Sequence, residues 1–215
     1  DTAVLSHGHY DHGGGLPAFL AKNQNAKIYV QEGAFGPHFA RRPGGRIEEI
    51  GIDASLERDP RITLVKGRLD IDEELTVFGD VRGRELWSKA NHVLLERDGD
   101  GYREDPFFHE QDLIIRSRDG KRILAAGCAH RGIVNIMERF MELEGQAPDV
   151  VIGGFHLMEP SSGRAIPREQ VEAVADRLLS FRGVRYYTCH CTGLEAYGIL
   201  KERMGERISY LAAGD

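Results

Sequence analysis

Thr2-Ala3-Val4-Leu5, followed by Ser6-His7-Gly8-His9-Tyr10-Asp11-His12-Gly13-Gly14-Gly15, is the stretch on which the fold turns. Residues 1–6 read as a buried strand ending at Ser6. The next nine residues are polar and rich in glycine. Leu16 to Lys22 then has the composition of a short helix, with Pro17 in the first turn, where a missing N–H does no harm. Lys27-Ile28-Tyr29-Val30-Gln31 is a second strand. Strand, loop, helix, strand is the order of an α/β unit.

The loop carries the chemistry. His7, His9, Asp11 and His12 place four potential metal ligands within six residues. On an extended segment His7 and His9 share a face, because side chains two apart point the same way. Asp11 and His12 follow at the bend, so one ion can take the first pair and a second ion the other. Imidazole and carboxylate suit Zn, Fe, Mn, Ni or Co. The three glycines let the backbone turn tightly into the helix.

Outward from this point, residues 32–60 read as an irregular loop or lid, within a lid-like insertion over 32–110. Short strands are expected at Ile62 to Val65, Leu75 to Phe78 and His92 to Glu96, with a turn at Asp98-Gly99-Asp100-Gly101. Asp112 to Ser117 and Arg122 to Ala126 form a hairpin around Asp119-Gly120. The C-terminal half returns to α/β order. Ile133, Ile136, Met137, Phe140 and Met141 follow helical spacing; Val150 to Ile152 is a strand; Val171, Val174, Ala175, Leu178 and Leu179 form a helical face. Val184 to Thr188 is a strand, Leu194 to Met204 a helix and Ile208 to Leu211 a last strand.

With 215 residues, the chain has the length of a single α/β domain, and no apolar run reaches a membrane-spanning length. The formal net charge of −6 argues against nucleic acid as partner; the expected partner is an anionic small-molecule substrate. Three cysteines suit a reducing compartment, the cytoplasm, better than a disulfide scaffold. Oligomeric state, a homo-oligomer included, is left open. His38 and His92 are isolated and read as ordinary surface or core residues. His109 either lines a pocket or serves the structure. Arg41 and Arg42 are candidate clamps for a phosphate or carboxylate. Arg131 adds charge beside the free N–H groups expected at the start of the helix near Ile133.

The motif His7-x-His9-x-Asp11-His12 resembles the signature of the metallo-β-lactamase superfamily. The wording of Ser6 to His12, of Gly127-Cys128-Ala129-His130-Arg131-Gly132-Ile133-Val134-Asn135, of Gly153-Gly154-Phe155-His156-Leu157 and of Cys189-His190-Cys191-Thr192-Gly193 is similar to one branch, the dihydropterin ribofuranosylaminobenzene 5′-phosphate synthase-like proteins. The resemblance covers residues 1 to about 195. It implies a four-layer αββα sandwich, here without the family's N-terminal strands, which are expected upstream of Asp1. It also implies that His130 completes one metal site with His7 and His9, and that His190 joins Asp11 and His12 on a second. Many relatives place a bridging Asp where this chain has His156, so His156 is read as a terminal ligand or as an acid poised over the substrate. Cys189 and Cys191 are potential ligands, but strand alternation is expected to aim them away from His190, as buried thiols.

A divalent metal, one or two ions with Zn foremost, lowers the pKa of bound water to ~7 and polarises a carbonyl or phosphoryl oxygen. The expected function is therefore a metal-dependent hydrolase in which metal-bound hydroxide attacks an anionic ester or phosphoester. Asp11 would orient the nucleophile and His156 protonate the leaving group. The rival is transfer from a dihydropterin diphosphate to a ribofuranosylaminobenzene phosphate, with Phe35, Phe39 and Trp87 as stacking partners for a pterin. A nuclease and a non-catalytic metal-binding module are weaker alternatives, the first opposed by the acidic charge balance.

Overall fold

A computed structural model describes residues 1–212 and 214. In chain order the elements are β1 (Thr2–Leu5), α1 (Tyr10–Gly13), α2 (Leu16–Lys22), β2 (Lys27–Gln31), β3 (His38–Arg41), β4 (Ile47–Glu49), β5 (Ile62–Val65), β6 (Arg68–Asp70) and β7 (Leu75–Phe78). They continue with β8 (Leu94–Asp98), β9 (Gly101–Glu104), β10 (Asp112–Arg116), β11 (Arg122–Ala125), α3 (Ile133–Glu144), β12 (Val150–Gly153), α4 (Arg168–Ser180), β13 (Arg185–Thr188), α5 (Leu194–Met204) and β14 (Ile208–Tyr210). Among the described residues no helix is long and apolar enough to cross a membrane.

The chain divides into two compact units, the first comprising Asp1–Leu69, Phe78–Asp80 and His92–Gln111. It holds a parallel sheet ordered β1-β2-β5 and an antiparallel sheet ordered β4-β3-β8-β9. Parallel neighbours need a crossover, and α2 supplies it between β1 and β2. The apolar positions of these elements, Leu5, Leu16, Leu20, Ile28, Val30, Ala34 and Phe35, form the core of this unit.

Residues 32–60 are more regular than their composition suggests. β3 and β4 form a hairpin pairing Phe39 with Glu49 and Arg41 with Ile47. Its turn runs through Gly44 and Gly45 at φ of 81° and 82°, a left-handed conformation that glycine adopts without strain. Strands of three or four residues with one buried side leave too few apolar positions for alternation to register. β6 and β9 were hidden for the same reason. β8 starts at Leu94 rather than His92 because Lys89–Val93 winds as a 3-10 turn.

The second unit takes Asp70–Val77, Val81–Asn91 and the chain from Asp112 onward, with strands in the order β14-β13-β12-β11-β10-β7. β10 and β11 form the expected antiparallel hairpin, closed through Gly120 at φ 84°. β11, β12, β13 and β14 run parallel. The crossovers are α3, α4 and α5. Ile133, Ile136, Met137 and Phe140 bury one face of α3, and Val171, Val174, Ala175 and Leu178 one face of α4. Tyr186, fully buried on β13, donates its hydroxyl to the Leu178 carbonyl at 2.8 Å, satisfying the polar end of a large core side chain.

This topology positions the chemistry. In an open parallel sheet the segments leaving the carboxyl ends of adjacent strands lie side by side. His130, His156 and His190 follow β11, β12 and β13 in turn, and the His7 to His12 segment leaves the carboxyl end of β1.

Candidate metal centre

In the first unit, His7 and His9 are buried, with ring centroids 4.6 Å apart. The ring of His12 stands 4.2 Å from that of His7. The shared face read from the sequence is realised. The Ser6 hydroxyl lies 3.0 Å from Nδ1 of His7 and 3.5 Å from Nδ1 of His12, so one hydroxyl orients both rings. Asp11 is exposed, its carboxylate 3.7 Å from Nε2 of His12. Residues 10–13, read as loop, close into the helical turn α1, which carries both side chains.

Gly8 is there because nothing larger fits. A Cβ at that position would stand 2.1 Å from the Ala34 carbonyl oxygen. Its N–H donates to Nδ1 of His109 at 3.1 Å. Nδ1 of His109 is therefore the acceptor nitrogen, and Nε2–H donates to Asp105 Oδ2 at 3.2 Å. Nδ1 of His38 also lies 3.2 Å from Asp105 Oδ2, and its Nε2 lies 3.2 Å from the Gly33 carbonyl oxygen. Gln111 adds two further ties, its N–H donating to the Ser6 carbonyl at 2.8 Å and its side-chain amide to the Leu5 carbonyl at 2.8 Å. Residues 105–111 thus grip the metal motif from behind.

The electrostatics follow from this packing. Burial alone would push the Asp105 carboxyl up. Hydrogen bonds from His109, His38 and the Phe107 N–H outweigh burial and hold it well below the usual carboxylate range. Burial lowers His109. It also takes His9 well below the ordinary imidazole value, with the neighbouring charges of His109 and His38 acting the same way against Asp105 and Asp11. A neutral imidazole is the form that binds metal.

Sequence reading missed Asp105 and treated His38 as ordinary. Neither sits in a motif, and only the fold brings them under Gly8. His109, a candidate substrate contact, has both ring nitrogens engaged inside the protein and serves to position the motif. Arg42 pairs with Glu48 at 2.7 Å, while Arg41 is exposed on β3. Phe35 belongs to the core of this unit and Phe39 packs edge-on against Tyr102 at 4.9 Å, so neither is free to stack a pterin.

In the second unit, His130 and His156 are buried with ring centroids 4.2 Å apart. Asn91 brackets His130: its side-chain N–H donates to the His130 carbonyl at 2.8 Å, and its Oδ1 lies 3.2 Å from Nδ1. That accepts the Nδ1 proton and makes Nε2 the nitrogen that could coordinate a metal. The Ser88 hydroxyl donates to the His156 carbonyl at 2.5 Å. Arg131 is buried and donates to the Val81 carbonyl. Trp87, the third candidate for stacking, has the Arg84 guanidinium 4.2 Å over its ring.

His190 is exposed, and here the alternation argument fails. The strand ends at Thr188, and His190 adopts φ 50° at the head of a 3-10 turn, His190–Thr192. Cys191 is thereby brought to His190 rather than away from it, and Cys189 is only half-buried. Burial pushes the Cys191 thiol up, but hydrogen bonds to Cys128 and His156 and the charges of His156 and His190 take it below the ordinary thiol range. Ala129 at φ 54° and His156 at φ 48° share the left-handed conformation. Such backbone costs ~1–3 kcal/mol per residue and concentrates at functional sites.

Imidazole, carboxylate and thiol on prearranged loops fit a divalent transition metal. Residues 1–189 match the metallo-beta-lactamase superfamily. The chain is 29% identical over 233 aligned residues to 7,8-dihydropterin-6-methyl-4-(beta-D-ribofuranosyl)-aminobenzene-5′-phosphate synthase of Methanocaldococcus jannaschii, covering 100% of this chain and 74% of that protein. It is 29% identical over 204 residues to an uncharacterized protein of the same archaeon, covering 91% and 70%. A crystallised metal-dependent hydrolase of the beta-lactamase superfamily superposes with a TM-score of 0.74 at 25% identity, over 99% of this chain and 77% of its own. The fold is shared with an isothiocyanate hydrolase from Delia radicum gut bacteria, with a TM-score of 0.51 at 17% identity, over 100% and 75%. With the histidine motif after β1 and the architecture around it both matched, this chain belongs to the metallo-beta-lactamase superfamily.

Proposed function

We propose that this chain is a metal-dependent hydrolase of a small anionic ester or phosphoester. Its candidate ligands for one or two divalent ions are His7, His9, Asp11 and His12 in the first unit and His130 and His190 in the second. The observation that carries the reading is the pair of buried imidazoles His7 and His9, oriented by Ser6 and Gly8, with His9 held neutral. A bound divalent cation supplies Lewis acidity and lowers the pKa of coordinated water.

The chain's own residues do the rest. Ser6 and Asn91 fix the tautomers of their histidines. The Asp105 network keeps the β1 motif rigid, so that its ligands need not reorganise during the reaction. Asp11, exposed beside His12, orients the attacking water and takes its proton. His156 is buried beside His130 and delivers a proton to the leaving group. Of the cationic candidates for an anionic substrate, Arg41 is the exposed one, while Arg131 is buried against the Val81 carbonyl. A net charge of −6 argues against nucleic acid as partner, and cysteines outside any disulfide suit the cytoplasm.

The name of the curated synthase favours a second reading, in which an amine displaces the leaving group in place of water. Incubation with a dihydropterin diphosphate, with and without a ribofuranosylaminobenzene phosphate acceptor, separates the two. Hydrolysis releases product at the same rate in both mixtures. Release that requires the acceptor would replace hydrolysis by transfer.

A further inference from the structure

Within the second unit, one group of three ligand side chains comes together among the described residues, and it contains no carboxylate. Sγ of Cys128, Sγ of Cys191 and a ring nitrogen of His190 all lie within 4.8 Å of one another. Cys128 and Cys191 are 3% and 8% exposed, and the Cys191 thiol donates to the Cys128 carbonyl at 3.6 Å. None of this is incidental packing of two small apolar residues. A Cβ on Gly154 would stand 2.5 Å from Sγ of Cys191, so the Gly153-Gly154 pair after β12 leaves the space that this sulfur fills. The Leu157 and Met158 N–H groups both donate to the Cys191 carbonyl at 3.1 Å. The Phe155 N–H donates to the Thr192 hydroxyl at 2.9 Å, which itself lies 2.5 Å from that of Thr188. The loop after β12 and the turn after β13 are thus laced together around this thiol.

Charge gives the arrangement a purpose. The segment after β12, Gly154-Phe155-His156-Leu157, carries no acidic side chain. Imidazoles are neutral ligands and leave the charge of a dication uncompensated. A thiolate is an anionic ligand and binds borderline and soft metals well.

We propose that Cys128 and Cys191 join His190 as a mixed thiolate–imidazole ligand set. Its cation is a thiophilic divalent ion of the zinc class, and its sulfurs supply the negative charge that the segment after β12 does not. This rests on the reading of the chain as a metalloprotein and names partners of His190 within the second unit.

Cobalt(II) is the probe, because thiolate ligation adds an intense near-ultraviolet sulfur-to-cobalt charge-transfer band to the visible d–d bands that any ligand set gives. The metal-free full-length chain is titrated with Co(II) under anaerobic, reducing conditions. The expected spectrum has both features. Cys128→Ser and Cys191→Ser each lose part of the charge-transfer band, the double variant loses it entirely, and Cys189→Ser retains it. Visible bands without the charge-transfer band in the unaltered chain overturn the thiolate assignment while leaving the metalloprotein reading intact. So does a full band in the double variant. Absence of both features overturns the two together. Because the unaltered chain decides by itself, a variant that fails to fold does not obscure the outcome.

Discussion

His9→Ala is expected to lose bound metal and turnover together. His9 is 5% exposed, shares a face with His7 and is held neutral by burial among His109 and His38. Removing a single oxyanion-hole donor from an enzyme costs ~10²–10³ in rate, whereas removing a metal ligand takes the ion and its Lewis acidity with it, so a larger loss is expected here. Asp11→Ala is expected to act in the same direction, since Asp11 is both ligand and proton acceptor in the proposed reaction. Elemental analysis of each variant beside its turnover on a phosphoester checks this, with a thermal melt to show that the fold survives. A His9→Ala protein with undiminished metal content would remove His9 from the ligand set.

Asp105→Ala is expected to be the most damaging change outside the ligands. The side chain is 1% exposed and accepts from His38, His109 and the Phe107 N–H. Breaking a buried charged network by removing one partner costs ~3–5 kcal/mol. The loss is expected to spread to the metal, because His109 holds the Gly8 N–H between His7 and His9, the two ligands proposed for it. Changes to groups that orient metal ligands typically cost ~10–100-fold in metal affinity. Asp105→Asn keeps the shape and one acceptor oxygen and is expected to fall between the two. Denaturant melts and metal titrations measure both effects. A destabilised Asp105→Asn protein with undiminished metal affinity would make the network purely structural.

Much of the fold was legible because the decisive elements carry strong local patterns. α2 and α5 fall where their apolar spacing and flanking glycines put them, and the β10–β11 hairpin announces itself by Asp119-Gly120. The four-residue strand β1 could be read because a cluster of histidines and glycines followed it. β3, β4, β6 and β9 could not: all are three or four residues long, and β4, β6 and β9 are sheet edges with few apolar positions. Of the candidate site, the histidines in motifs were visible, but what orients them was not. Asp105 and Asn91 lie in unremarkable sequence, and only the pairing of strands brings them under Gly8 and His130. Cys191 was misread because alternation was carried one turn too far. The strand stops at Thr188, and the left-handed backbone of His190 redirects the thiol.

The decisive measurement is elemental analysis of the freshly purified, unaltered chain, followed by chelation and readdition of metal during a phosphoester assay. A stoichiometric divalent transition metal, activity lost on chelation and activity restored by zinc or cobalt are expected. A metal-free protein that turns over at full rate, or one indifferent to chelation and readdition, would contradict the assignment of these histidines.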